Sequence, residues 1–166
     1  SGGTQTVQSE SELLNVLITG ITGMVGSHLA EYILQNHPDS QVHGLTRWRS
    51  PLDNIRGILD QVSLHNADLR DLNSLIELLD EVKPDKIFHL AAQSYVTVSF
   101  ITPADTLTTN VIGTTNLLDA VRITGINPMI HICSSSEVYG QVRADEVPIN
   151  ESNAFRPASP YAVSKV

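Results

Sequence analysis

The stretch Val16-Leu17-Ile18-Thr19-Gly20-Ile21-Thr22-Gly23-Met24-Val25-Gly26-Ser27-His28-Leu29-Ala30 constrains this chain more than any other. A short run of apolar and β-branched residues leads into glycine at every third position, and a helical apolar pattern follows at once. That order predicts a strand, a tight turn and a helix. Gly20 serves the turn, Gly23 leaves no side chain between backbone and a bound group, and Gly26 lets the helix lie close on the strand. The first N–H groups of such a helix have no internal acceptor. With the positive end of the helix dipole they face whatever occupies the turn, usually a phosphate. Thr22, Met24 and Val25 are the other residues whose backbone lines that place. Glycine is common at turns and helix starts, so spacing alone does not decide; the strand before and the helix after carry the reading.

Composition narrows the classes. A length of 166 residues fits one domain with a real core, and 41% hydrophobic with 17% charged residues is ordinary globular usage. The net charge of −8, with no basic cluster beyond Arg47 and Arg49, argues against a nucleic-acid or anionic-membrane surface. No apolar run approaches membrane-spanning length and no charged-then-apolar leader opens the sequence, so a soluble cytoplasmic protein is expected. Cys133 is the single cysteine, which excludes an intrachain disulfide and fits a reducing compartment. The six histidines are scattered without ligand spacing, and no metal site is expected. Residues 1–12 are small and polar and read as a disordered start or an expression remnant, leaving 13–166 as the folded unit.

Along the chain, strands are expected at about 15–19, 41–45, 62–66, 86–90 and 129–133. Helices are expected at about 24–35, at 72–82 behind an Asp71 cap, and within 103–124 up to a Gly125 C-cap. In the first of the later pair Leu72, Leu75, Ile76 and Leu79 share a face; in the second Leu107, Val111, Leu118 and Val121 lie at helical spacing. One helical turn is expected after Pro51, and another helix starts at Pro160-Tyr161. Strands alternating with helices give βαβ units and hence a Rossmann-like, doubly wound α/β fold around a parallel sheet. Apolar strands imply burial on both faces, and ligands then bind at the carboxyl ends of the strands where strand order reverses.

Each strand end offers something specific. Strand two ends in Thr46-Arg47-Trp48-Arg49, where an NAD site usually places an Asp or Glu on the ribose hydroxyl. Guanidinium groups there suit a phosphate and favour NADP over NAD, unless they are two solvated surface arginines. Asp68, followed by Leu69, either accepts from an adenine amino group or caps a turn. Leu90-Ala91-Ala92 would let backbone approach a cofactor, or simply pack. His89 and His131 read as satisfied core histidines, and Cys133 as a small core residue. Strand five runs into Ser134-Ser135-Ser136-Glu137-Val138-Tyr139-Gly140, which gathers hydroxyls and a carboxylate where such sheets do chemistry. Tyr161 and Lys165 are four apart, so on a helix they share a face. An ammonium beside a phenol favours the phenolate, the form a general base needs.

With Leu17-Ile18-Thr19-Gly20-Ile21-Thr22-Gly23, Ala91-Ala92-Gln93-Ser94-Tyr95-Val96, Ser134-Ser135-Ser136-Glu137-Val138-Tyr139-Gly140 and Arg156-Pro157 before Ser159-Pro160-Tyr161, the chain resembles the extended short-chain dehydrogenase/reductases that act on nucleotide sugars. Within them it looks most like the GDP-mannose 4,6-dehydratases. The resemblance implies that Ser135 hydrogen-bonds the sugar 4-oxygen, Tyr161 removes the 4-hydroxyl proton, and Lys165 holds the ribose and favours the phenolate. Glu137 stands where the acid/base for C5 and the departing 6-hydroxyl is kept. Bound NADP+ is implied as the hydride carrier, with GDP-mannose as substrate, GDP-4-keto-6-deoxymannose as product and a homo-oligomer as the full-length state. Two departures keep the related reductases, epimerases and decarboxylases open. Trp48 interrupts the arginine pair, and Gly23-Met24-Val25-Gly26 lacks the Gln-Asp that many of these dehydratases place between the glycines. A non-catalytic dinucleotide-binding module also stays open. Family members continue past Lys165 into a substrate domain, so the resemblance implies a fragment whose Tyr161 and Lys165 are displaced or frayed.

Overall fold

The computed structural model describes residues 13–166, so the reading of 1–12 lies outside the described residues. Five strands, β1 (Leu14–Thr19), β2 (Ser40–Thr46), β3 (Val62–Asn66), β4 (Lys86–His89) and β5 (Met129–Ile132), form one sheet in the order β3-β2-β1-β4-β5. Every pairing is parallel, with Ile18 opposite both Gly44 and Phe88. Parallel neighbours need crossovers. These are α1 (Met24–Asn36) between β1 and β2, a 3₁₀ turn Asp53–Ile58 before β3, and α2 (Leu72–Val82) between β3 and β4. The last crossover holds α3 (Val96–Ile101), α4 (Pro103–Leu107), a π-helical turn Thr108–Ile112 and α5 (Gly113–Thr124). A four-residue helix, α6 (Pro160–Val163), follows β5 after a long loop.

The sheet is covered on both faces, as alternation along β1 requires. Leu17, with Leu45 and Ile87, packs under Leu75, Leu78, Leu79 and Val82 of α2 and Leu117 and Ala120 of α5. Val16 and Ile18 point the other way, against Ala30 and Ile33 of α1 and Ile55 and Ile58 of the 3₁₀ turn. Asp71 caps α2 as expected, its carboxylate accepting from the Asn73 N–H at 3.1 Å. Asp71→Ala is expected to cost about 1 kcal/mol in urea unfolding, the usual worth of one such cap. Among the described residues no helix is long and apolar enough to cross a membrane, and no group of three metal-binding side chains converges.

Three expectations need correction. The helix expected within 103–124 is present, passing through the π turn and ending at the expected Gly125 cap, but α3 precedes it unforeseen and the face it turns inward is not the apolar one. Its inward side carries Thr106, Asn110, Gly113, Leu117 and Ala120, while Leu107, Val111 and Leu118 face solvent and only Val121 reaches the core. Polar Thr106 and Asn110 are drawn inward because both bond the Gln93 segment. The second correction concerns β5. It is an edge strand from which Ile130 alone packs on the core, so Met129, His131, Ile132 and Cys133 are exposed rather than core. The third is α6, which stops at Val163. Lys165 lies in the turn beyond it and does not extend a helical face with Tyr161.

Candidate functional site

β1 and β4 are neighbours, yet the chain leaves one for β2 and the other for β5. The crevice beyond their carboxyl ends is therefore the switch point where such sheets hold ligands. Gly20 stands there with φ +76°, in the left-handed region, and a Cβ on it would meet the Ala91 nitrogen at 2.8 Å. At Gly26 a Cβ would drive into the Gly20 carbonyl oxygen, so α1 lies directly on the turn. Gly23 donates its N–H to Gly20 O at 3.0 Å and forms the N-cap of α1. That helix start has no side-chain cap and no acidic residue in its first turn, while Met24 and Val25 are exposed. An uncapped, uncompensated helix start beside a glycine turn fits a pyrophosphate. The Thr22 carbonyl is held by Asn54 Nδ2 at 2.8 Å, which ties the 3₁₀ turn to the glycine turn.

A buried network locks β1 to β4 behind this turn. Thr19 Oγ1 accepts from the N–H groups of Leu90 (3.2 Å) and Ala91 (3.1 Å) and lies 2.8 Å from His89 Nδ1. His89 Nε2 lies 2.9 Å from Thr114 Oγ1, whose proton goes to the Asn110 carbonyl at 2.6 Å. Thr114 must accept from Nε2–H, and Nδ1 must accept from Thr19 O–H. His89 is thus neutral, one tautomer, fully partnered. Burial, and then the Lys165 ammonium, push its pKa down to about 4. Ala92 continues the same loop to Gln93, whose backbone exchanges hydrogen bonds with Asn110 at 2.8 and 3.0 Å.

The end of β2 folds into a tight turn. Ser50 N–H bonds the Arg47 carbonyl, and the Ser50 hydroxyl accepts from Arg47 N–H, both at 3.0 Å. Arg47, Trp48 and Arg49 stand exposed at its tip, with Arg49 at φ +60° and its guanidinium 5.9 Å from the Trp48 ring centre. Facing them across an open cleft of about 610 Å³ are Asp68, Arg70 and Asp71 at the end of β3. Asp68 does not wait free for a ligand. Its carboxylate accepts from Arg70 N–H (2.9 Å), Nε (3.1 Å) and Nη2 (2.9 Å), which hold its pKa below the usual carboxylate range. Leu69 turns its side chain into the core, and its carbonyl accepts from Asn116 Nδ2 at 2.9 Å.

The third group gathers past β5. Ser135 caps a 3₁₀ turn, Ser136–Tyr139, its hydroxyl accepting from Glu137 N–H at 3.2 Å, and Glu137 is exposed. Ser134 Oγ donates to the Lys165 carbonyl at 2.7 Å, and Lys165 Nζ donates to the Cys133 carbonyl at 2.9 Å. Burial draws the Lys165 pKa below its ordinary value. Tyr161 sits half-buried on α6, which Ser159 caps. The Ser135–Glu137 turn and the Tyr161–Lys165 segment are therefore stitched together. Arg156 adds a second stitch by donating its N–H to the Val138 carbonyl at 2.9 Å.

Sequence reading passed over Thr19, Asn54, Arg70, Asn110 and Thr114. Only the polar Asn110 within an apolar helical pattern signalled itself, and the structure ties it to Gln93 and, through Nδ2, to Ser164 at 2.8 Å. Comparison with known proteins bears on the family and the fold. The model of the family described as GDP-mannose 4,6 dehydratase matches residues 17–166. The chain is similar to a GDP-mannose 4,6-dehydratase of Yersinia enterocolitica, 44% identical over 161 residues, covering 90% of this chain and 42% of that protein. It is 38% identical over 165 residues to the human GDP-mannose 4,6 dehydratase, with the same shares covered. It spans about two fifths of the length of these curated relatives. Among solved structures it resembles a Thermus thermophilus UDP-glucose 4-epimerase in complex with NAD (TM-score 0.79, 32% identity, 92% of this chain and 47% of that one). A Streptomyces venezuelae dTDP-glucose 4,6-dehydratase double mutant with NAD and DAU bound is also similar (TM-score 0.79, 31% identity, 90% and 48%).

Proposed function

The chain belongs to the GDP-mannose 4,6-dehydratase family, and from that premise we propose that it is the dinucleotide-binding part of a nucleotide-sugar 4,6-dehydratase acting on GDP-mannose with NADP+. The observation that carries the cofactor reading is the cradle. Gly20 lies against Ala91, α1 starts uncapped beside it, and two guanidiniums stand at the tip of the next strand. The turn of Gly20, Thr22 and Gly23 with the first amides of α1, through Met24, Val25 and Gly26, would hold the pyrophosphate. Arg47 and Arg49 would take the 2′-phosphate, and Leu90-Ala91-Ala92 would flank the ring-bearing half.

A bound nicotinamide would supply a hydride acceptor for C4 of the sugar and a hydride donor for C6. This chain's own residues handle protons and position. Tyr161 takes the 4-hydroxyl proton, Ser135 steadies the 4-oxygen, and Lys165 holds the ribose. Glu137 removes the C5 proton and delivers it to the 6-hydroxyl, which leaves as water, and the proton taken up by Tyr161 is returned to C5 as C6 is reduced. A cytoplasmic site of action and a homo-oligomeric full-length enzyme accompany this reading. One observation favours a second reading for this stretch alone, a dinucleotide-binding module without turnover. Lys165 sits past the end of α6 with its Nζ on the Cys133 carbonyl.

The deciding measurement is calorimetric titration with NADP+ and with NAD+. NADP+ is expected to bind more tightly, and Arg47→Ala to weaken NADP+ by roughly tenfold, about one charge-assisted phosphate bond, while sparing NAD+. Equal affinities untouched by the substitution would return Arg47 to the solvated surface. Product analysis with GDP-mannose on the full-length enzyme separates dehydratase from reductase, epimerase and decarboxylase. A binding-only module predicts no turnover and NADP+ affinity unchanged by Tyr161→Phe.

A further inference from the structure

A carboxylate that opens on a phosphate site is a liability, since it repels the dianion the site is meant to hold. Asp68 is such a group. Its side chain is about one-third exposed and lines the same cleft as Arg47 and Arg49. Resting on the dinucleotide reading above, we propose that Arg70 is a specificity-determining residue, which masks the charge of Asp68 so that the cleft accepts a ribose carrying a 2′-phosphate.

Four observations support this. The pairing is a two-point fork, Nε on Oδ1 and Nη2 on Oδ2, the geometry in which guanidinium and carboxylate compensate best. Asp105 of α4, outside the lining of the cleft, lies 3.6 Å from Nη1 and so draws the far side of the guanidinium. The fork engages two of the five N–H groups and Asp105 faces a third, which leaves donors on a half-exposed side chain. Finally, the turn stands without the pair. The Asp68 carbonyl accepts from Asp71 N–H at 2.9 Å, and Asp68 N–H is bonded by Ser74 Oγ at 3.2 Å. The Arg70 side chain is therefore not needed to shape the loop. Its effect is on charge: the lining carries three guanidiniums, of Arg47, Arg49 and Arg70, against two carboxylates, of Asp68 and Asp71. Replacing the Arg70 side chain leaves two against two and turns on the phosphate a carboxylate held only by the backbone N–H of residue 70.

The test is calorimetric titration of the chain and its Arg70→Gln, Asp68→Asn and doubly substituted variants with NADP+ and NAD+. Arg70→Gln is expected to weaken NADP+ about five- to tenfold, more so at low salt, and NAD+ less than about twofold. Adding Asp68→Asn to Arg70→Gln is expected to restore NADP+ to within about twofold of the unsubstituted chain, because the repelling charge is then gone. Equal losses for both dinucleotides, or no recovery in the double variant, would overturn the proposal. Should Arg70→Gln fail to fold by circular dichroism, Arg70→Lys keeps the charge without the fork and is expected to retain the preference for NADP+ in part; a complete loss of preference there also overturns it. If the unsubstituted chain binds NAD+ as tightly as NADP+, this inference fails while the dinucleotide site stands. If it binds neither, the site reading itself fails and takes the inference with it.

Discussion

Gly26→Ala is expected to lower the stability of the chain by about 3 kcal/mol and to abolish dinucleotide binding. The added Cβ would run into the Gly20 carbonyl oxygen, with the Gly20 carbonyl carbon and Ile21 Cα both at 2.8 Å. All three are backbone atoms, so no side-chain rotation relieves the clash. Either α1 lifts off β1 or the turn opens. Lifting α1 strips cover from Ile21, Ala30 and Ile33, which are buried against the sheet. Opening the turn breaks the Gly23 N–H bond to that same Gly20 oxygen and disturbs Gly20 against Ala91. Both routes damage the fold and the cradle together. Gly57→Ala is the control. A Cβ there meets nothing within 4 Å, so the unfolding midpoint should stay the same or rise slightly. Urea unfolding followed by circular dichroism, with calorimetric titration beside it, reads both effects. A Gly26→Ala protein with the original midpoint would show that α1 does not rest on the turn.

What the sequence made legible were features encoded locally. The glycine spacing specified the strand, turn and helix, because one backbone oxygen at Gly20 and one missing Cβ at Gly26 settle it. The alternation of apolar strands and helices specified a parallel sheet with two covered faces, and the end of β2 displayed its arginines openly. Features that depend on a distant partner stayed hidden. Nothing near Arg70 announces that its guanidinium, forked on Asp68 two residues back, also faces Asp105, 35 positions away on α4. The apolar spacing of Leu107, Val111 and Leu118 is genuine helical spacing, yet the helix turns inward the face that can bond Gln93. The apolar content of β5 promised burial that its position at the sheet edge does not supply. Tyr161 and Lys165 share a face only if the helix reaches both, and the Lys165 ammonium is instead engaged by the Cys133 carbonyl. Both His89 and His131 read in the sequence as satisfied core histidines; His131 is exposed on the edge strand, while His89 is buried with both ring nitrogens partnered.

Between pH 7 and pH 4 the chain is expected to lose about 3 kcal/mol of stability through His89 alone. The unfolded side chain titrates near its ordinary value of 6.5, and the folded one near 4. Between those values the unfolded state holds the extra proton, so stability is full above about 6.5, falls as pH drops through this window, and levels off below about 4. The network explains the size. The Thr19 oxygen already accepts from Leu90 and Ala91, so its own proton must point at His89 Nδ1. Protonating Nδ1 sets donor against donor in a site that is 3% exposed. His43 adds to the same trend, since burial and then the neighbouring His65 lower its pKa, and its buried Nε2 has no hydrogen-bond partner among the described residues. His89→Gln should flatten the slope between pH 6.5 and 4 at some cost in stability at pH 7, leaving the shallower His43 contribution. Because the Thr19 hydroxyl fastens Leu90 and Ala91 beside Gly20, dinucleotide affinity should weaken over the same window and lose most of that dependence in the variant. Urea unfolding at half-unit pH steps on both proteins tests this. An unchanged slope in His89→Gln would move the acid sensitivity away from the junction of β1 and β4.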